Sequence, residues 1–194
     1  MPEASIETMA TDEDLVRLAR DGDSSAREEL FRRHWDVAFK VAYRLLGKEQ
    51  DAQDATQDGM IKALAHLHDF DGRSTFRTWL LKIVTNAAYD VGRRRKRQTF
   101  FGLATIDSEN GGFEPAMDSD PAQNLRREDL RKALNAALDK LPWKQRETFV
   151  LFAEGGLSYL EIASAQAIPI GTVMSRISNA RIRLQSYLQG EEGL

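Results

Sequence analysis

Residues 70–97, FDGRSTFRTWLLKIVTNAAYDVGRRRKR, decide how the rest of this chain is read. The stretch opens with a Gly-containing turn and closes with five consecutive basic residues. Between them Phe76, Trp79, Leu80, Ile83, Ala87 and Val91 recur at helical spacing, which predicts a helix whose apolar stripe needs a partner. Lys82, Asn86, Tyr89 and Arg93 share another face and lead into Arg94, Arg95, Lys96 and Arg97. A basic run can also be a solvated helix end, where each cation gains ~0.3–1 kcal/mol from the helix dipole. Five adjacent cations repel one another, however, and an amide and an aromatic ring precede them on the same face. That combination suits a phosphate backbone and opened bases.

The chain has 194 residues, 42% hydrophobic and 29% charged, enough for one large domain or two small ones. No apolar run approaches a membrane span, and the start, MPEASIETMATDED, is acidic rather than basic and apolar. Cytoplasmic residence without membrane insertion is the expectation. Cysteine is absent, which excludes disulfides and thiolate-held zinc, and no cofactor is expected. The net charge of −3 argues against indiscriminate nucleic-acid binding, but the charge is unevenly spread. Asp107, Glu109, Glu114, Asp118 and Asp120 lie in a segment with no Lys or Arg between Thr99 and Asn124, away from the basic block.

Ahead of that block, a short helix is expected over 11–19, with Asp12, Glu13 and Asp14 in its first turn. Ser25 followed by Glu28 reads as a capping box opening a long helix that ends at Gly47 and buries Leu30, Phe31, Trp35, Ala38, Ala42, Leu45 and Leu46. A third helix is expected over 50–67, with Ala52, Ala55, Met60, Ala63, Leu64 and Leu67 inward and Asp51, Asp54 and Asp58 outward. Three carboxylates on one face are either solvated or part of a metal site, and a metal site needs ligands from another element. His34, His66 and His68 read as ordinary surface or core residues, and no triad, H-E-x-x-H or nucleotide loop is present.

Residues 99–124, TFFGLATIDSENGGFEPAMDSDPAQN, carry paired Gly, two Pro and no sustained period, so they read as a flexible acidic linker. Its fluctuating reach is roughly 30 Å, so it joins DNA sites more than one helical turn (~34 Å) apart only when partly stretched. Phe100, Phe101 and Phe113 are candidate anchors for a stretched form, or pack back on a domain. Beyond it, Leu125, Leu130, Leu134, Ala137, Leu138 and Leu141 form one amphipathic helix, and Pro142 starts another at a favoured first helical position. Ser158 and Glu161 make a capping box for a short helix over 158–165, followed by a turn with Pro169 and a helix over 171–188. In the last helix Val173, Ile177, Ala180 and Leu184 face inward, while Thr172, Ser175, Arg176, Asn179 and Arg183 form an acid-free outer stripe. Short helix, turn and basic polar helix describe a helix-turn-helix, although three-helix packing with an Arg-bearing surface gives the same pattern.

These motifs carry a resemblance. Residues 70–97 resemble the promoter-melting segment of bacterial sigma factors, in the extracytoplasmic-function (ECF) group of the sigma-70 family. DAQDATQDGMIKAL is similar to the family's D-A-E-D-L-x-Q-E-x-F segment, which docks on core RNA polymerase; Asp51, Asp54, Gln57 and Asp58 match it, while Gln53, Ala55 and Met60 depart. Gly59 weakens that helix by ~1 kcal/mol relative to Ala. LSYLEIASAQAIPIGTVMSRISNARIRL resembles the domain that reads the −35 element. Gln166 and Ala167 replace Leu-Gly there, so a left-handed backbone would cost ~1–2 kcal/mol with Ala, and Met174 replaces a phosphate-contacting lysine.

The resemblance implies an all-α, two-domain alternative sigma factor that is not an enzyme. Its domains would be 1–98, docking on polymerase and opening the −10 element, and 125–194, a helix-turn-helix domain, joined by 99–124. Phe70, Ser74 in the 71–75 loop, Lys82, Asn86, Tyr89 and Arg93, Arg94, Arg95, Lys96 and Arg97 would meet −10 DNA. Thr172, Ser175, Arg176, Asn179 and Arg183 would meet the −35 element. Core RNA polymerase, promoter DNA and an anti-sigma factor are the partners to expect. A stand-alone helix-turn-helix regulator and a metal-dependent enzyme built on Asp51, Asp54 and Asp58 are the alternatives.

Overall fold

The computed structural model describes the backbone of residues 10–100 and 121–191, with side chains described over 10–98 and 128–190. Most of the expected linker, with its candidate anchors Phe101 and Phe113 and the Phe100 side chain, therefore lies outside the described residues. Among the described residues the protein is all-α, with eight α-helices, one 3-10 turn and no strand.

Local capping explains the helix starts. Thr11 caps α1 (Asp12–Arg20) by accepting from the Asp14 amide. For α2 (Ser24–Leu46) the expected capping box on Ser25 does not form; Asp23 caps instead, accepting from the Ala26 amide at 3.0 Å. An aspartate two residues upstream offers the same acceptor, and the helix begins two residues earlier. Gly47, at φ 72°, ends α2 in the left-handed conformation that glycine adopts freely. Helix α3 (Glu49–Ala65) stops two residues short of expectation, and a 3-10 turn (Leu67–Asp69) leads toward α4 (Phe76–Phe100), which Thr75 caps through the Thr78 amide.

Helices α1 to α4 pack around a core in which Leu30, Leu45, Leu46, Leu80 and Leu81 are fully buried, each worth ~1.5–3 kcal/mol of transfer free energy. His34 is buried too, its Nε2 2.7 Å from Asp12 Oδ2, which ties α2 to α1. Gly59, expected only to weaken α3, lets it approach α4: a Cβ there would stand 2.8 Å from Val84 Cγ2. Two expected core residues are not core. Trp35 is 41% exposed and Leu64 46% exposed, because the apolar residues of α2 and α3 outnumber what one buried stripe can cover.

The second group comprises α5 (Pro121–Asp139), α6 (Trp143–Ala153), α7 (Tyr159–Gln166) and α8 (Ile170–Glu191). Helix α5 starts ahead of the expected boundary at residue 125, and Pro142 is the N-cap of α6 rather than its first residue. The capping box of Ser158 and Glu161 forms as expected. Ala167 takes φ 51° and ψ 49°, the left-handed turn foreseen for that position. Val173, Ile177, Ala180 and Leu184 of α8 are buried against the group, so the opposite stripe faces out. The two groups also touch each other, α2 packing on α5 and α6, and α4 on α7.

Candidate nucleic-acid and polymerase interface

The outer face of α4 presents Lys82 and Asn86 to solvent, with Tyr89 47% exposed. Both Lys82 and Asn86 line a cleft of about 300 Å³ whose other wall carries Lys144, Glu147, Gln166 and Arg176 from the second group. Tyr89 sets its ring edge-on to Trp143 of α6, centroids 5.3 Å apart. Past Tyr89, the exposed cations Arg93, Lys96 and Arg97 line a groove of about 780 Å³ that also includes Tyr89 and Trp143. Aromatic walls beside solvated cations are the surface that opened nucleic acid needs.

The five cations are not equivalent. Arg94, Lys96 and Arg97 point to solvent, and Arg93 pairs loosely with Asp90 at 3.3 Å. Arg95 turns inward, donating to the Leu46 carbonyl at 3.1 Å and to Asp51 at 2.8 Å. Phe70, expected beside a DNA base, is 6% exposed, packs on Phe76 and Trp79, and lines the recess next to the 71–75 loop. An aromatic residue next to a turn looks the same in sequence whether it faces a ligand or the core. Its burial anchors the 71–75 loop, where half-exposed Ser74 lines a recess of about 190 Å³ with Gly72, Thr75 and Asp12. Arg73 holds the Asp71 carboxyl below the usual carboxylate range.

On α3, Asp54 and Gln57 are exposed, Asp58 pairs with Lys62 at 2.8 Å, and Asp51 faces Arg95. The three aspartates therefore do not converge, and among the described residues no group of three or more acidic or histidine side chains comes together as a metal site would require. Beside Asp58 runs an apolar groove of about 590 Å³ between α2 and α3, lined by Phe31, Trp35, Met60, Ile61 and Leu64 and rimmed by Glu28, Arg32 and Asp36. Sequence reading missed this groove. Its signal is the surplus of large apolar residues on α2 and α3 beyond what a single core stripe holds.

The outer stripe of α8 emerges as expected, with Ser175, Asn179 and Arg183 exposed. Thr172 and Arg176 are half-buried, Arg176 donating to Gln166 Oε1 at 3.3 Å. Met174 stands 52% exposed in the same N-terminal part of α8, with Ile170 one turn before it at 42%. Glu147 lies at the base of the cleft facing this helix, where burial raises its carboxyl above the usual range against the opposing pull of Gln166, Thr85, Arg176 and Lys144. Among the described residues no helix is long and apolar enough to cross a membrane.

A helical bundle with a basic, aromatic helix is followed in this chain by a helix-turn-helix, and the comparisons place that order in the sigma-70 class. Residues 30–98 match the family model for Sigma-70 region 2 and residues 131–184 that for Sigma-70, region 4. The chain belongs to the ECF group of RNA polymerase sigma factors. It is 38% identical over 170 residues to the ECF RNA polymerase sigma factor SigE of Mycolicibacterium smegmatis, covering 86% of this chain and 64% of that relative. It is 32% identical over 183 residues to the ECF RNA polymerase sigma-E factor of Escherichia coli, covering 92% of this chain and 95% of the other. Among solved structures it is similar to CnrH in complex with the cytosolic domain of CnrY, with a TM-score of 0.69, 27% identity, and coverage of 92% and 97%. It is also similar to the sigma factor RpoE in complex with the anti-sigma factor NepR from Bartonella quintana, with a TM-score of 0.67, 30% identity, and coverage of 84% and 96%.

Proposed function

We propose that the chain is an alternative sigma factor that joins core RNA polymerase and directs it to promoters, contributing recognition and strand opening rather than chemistry of its own. The observation that carries this reading is α4, where a solvent-facing amide, a half-exposed ring and a basic end lie in sequence on one helix. Residues 1–98 form the polymerase-docking and −10 domain, 99–124 the linker, and 125–194 the −35 domain. Asp54, Gln57 and Asp58 dock on polymerase, with the neighbouring apolar groove at Trp35, Ile61 and Leu64 extending that face. A helical partner presenting both apolar and basic side chains fits such a surface.

Lys82, Asn86 and Tyr89 meet opened −10 DNA, with Ser74 at the recess beside the 71–75 loop, and Arg93, Arg94, Lys96 and Arg97 hold backbone. Arg95 acts by positioning α4. Thr172, Ser175, Arg176, Asn179 and Arg183 read the −35 duplex, and Met174 adds an apolar contact suited to a thymine methyl. The similar structure from Bartonella quintana pairs a sigma factor with an anti-sigma factor, and a partner of that kind is the regulator proposed for this chain. The site of action is the cytoplasm, where polymerase works. Run-off transcription with core polymerase, genomic promoter fragments and either the wild type or Asp54→Arg tests the reading. Promoter-specific transcripts are expected with the wild type alone. Tight polymerase-free operator binding without initiation would instead establish a stand-alone regulator.

A further inference from the structure

The groove of about 780 Å³ between the end of α4 and the start of α6 is lined by Arg93, Arg95, Lys96, Arg97 and Arg146 against one acid, Asp139. Arg95 is engaged by Asp51 and the Leu46 carbonyl, whereas Arg93 meets Asp90 only at 3.3 Å and Lys96 and Arg97 point to solvent. The surplus of positive charge continues below the surface. Arg146 is 8% exposed; it donates to the Leu45 carbonyl at 2.8 Å and to Asp139 Oδ1 at 2.6 Å, and its Nε has no hydrogen-bond partner. Burial pulls its guanidinium below the ordinary range and the Arg95 charge adds to that, against the pull of Asp139. A buried cation held by one half-exposed carboxylate, with a second guanidinium near it, is stabilised by any further anion that enters.

The walls ask for more than an anion. Tyr89 stands edge-on to Trp143 with centroids 5.3 Å apart, the Arg146 guanidinium lies 5.9 Å from the Trp143 ring centre, and Leu45, Leu46 and Leu141 line the same space. Gly92 adds no side chain there: a Cβ would stand 3.8 Å from Trp143 Cζ3 and 3.5 Å from Leu46 Cδ2. Pro142 and Trp143 bring the N-terminus of α6 to the groove, and no side chain caps it. Such an end carries partial positive charge and favours phosphate. An inorganic anion makes no use of aromatic and aliphatic walls, and an apolar ligand makes none of the cations. A flat ring joined to two or three phosphates uses both, and the volume falls within the roughly 300–1,000 Å³ of small-molecule sites.

We propose that this groove is a binding site for a nucleoside di- or triphosphate, its base against Trp143 and Tyr89 and its phosphates on Arg93, Lys96 and Arg97. The site stands on the groove alone. Its consequence rests on the sigma-factor reading: those three cations are the ones assigned to promoter backbone, so nucleotide and DNA exclude each other there, and a nucleotide-loaded chain engages promoters more weakly.

Calorimetric titration of the full chain, without polymerase or DNA, tests the site with ATP, adenosine and inorganic tripolyphosphate as probes. ATP should bind about 5-fold or more tightly than tripolyphosphate, the margin that stacking of one base provides, and adenosine should bind most weakly. Trp143→Leu should abolish the preference for ATP while leaving tripolyphosphate affinity unchanged. Lys96→Ala/Arg97→Ala should weaken ATP and tripolyphosphate alike. Arg94→Ala removes an equally exposed cation of the same helix that does not line the groove, and should change ATP affinity by less than about 2-fold because solvent and salt screen it. Thermal unfolding checks that each variant folds. Equal affinity of the wild type for ATP and tripolyphosphate, an Arg94→Ala loss as large as that of Lys96→Ala/Arg97→Ala, or no binding of ATP overturns the site. Run-off transcription decides the sigma-factor reading separately, because the titration contains neither polymerase nor promoter.

Discussion

Arg95 Nη1 lies 2.8 Å from Asp51 Oδ2, joining a residue of the basic helix end to the first of the three outward acids of α3. Sequence reading assigns Arg95 to promoter DNA and Asp51 to polymerase; the structure pairs them, together with the carbonyl at the end of α2. The pair ties the basic end of α4 to α3, while Arg94, Lys96 and Arg97 stay exposed.

Asp51→Ala and Asp54→Ala should consequently behave differently. Asp51→Ala is expected to lower Tm slightly, since a pair this accessible is worth ~0.2–1 kcal/mol. Asp54, exposed on the same helix, should leave Tm unchanged when replaced by Ala and weaken association with core polymerase. Calorimetry and polymerase titration on both variants make the comparison.

Among the basic residues, each of Arg94→Ala, Lys96→Ala and Arg97→Ala should reduce the salt slope of promoter binding by holoenzyme by ~0.7–0.9. Arg95→Ala should change the slope less and lower Tm more. Equal slopes for all four variants would contradict the division of roles.

Gly59→Ala gains ~1 kcal/mol of helix propensity yet forces a methyl to 2.8 Å from Val84 Cγ2 and 3.0 Å from Val84 Cα. Overpacking of this kind costs ~1–3 kcal/mol, so net destabilisation is expected in urea unfolding. Val84→Ala in the same chain should relieve part of it.

Ala167→Gly should raise stability by ~0.5 kcal/mol. Relief of the left-handed strain, ~1–2 kcal/mol, outweighs the extra unfolded-chain entropy of glycine, ~0.4–1 kcal/mol. The same unfolding assay reads the change, and a loss of stability would mean the turn is not strained.

Glu147 supplies a pH dependence. Burial raises its carboxyl above the ordinary 4.5, so the folded state binds this proton more tightly than the unfolded chain. The stability it contributes is fully present below the unfolded value and is lost as pH rises through the raised folded value. Glu147→Gln should therefore raise Tm relative to wild type at about pH 7 and not at about pH 4. Lys82, Lys144 and Arg176 face the same cleft and limit the size of the difference.

The helices were legible because each is written locally. The apolar stripe of α8, the Ser158 capping box and the Gly47 stop all depend on residues within a few positions, and all three appear as read. Misreadings arose where two local signals competed or where a distant element decided. Asp23 displaced Ser25 as the cap of α2, and Trp35 and Leu64, expected inward, stand 41% and 46% exposed.

By itself the sequence determined an all-helical chain, the basic end of α4, the helix-turn-helix and the family to which they belong, because helical periodicity, capping and charge order are properties of neighbouring residues. Only the tertiary structure decided that Trp35, Ile61 and Leu64 open into a groove, that Arg95 pairs with Asp51, and that Lys82, Asn86 and Arg176 share one cleft. Those outcomes depend on which faces remain after the helices have packed, and on contacts between residues as far apart as Arg44 and Glu154, whose pairing no local pattern encodes.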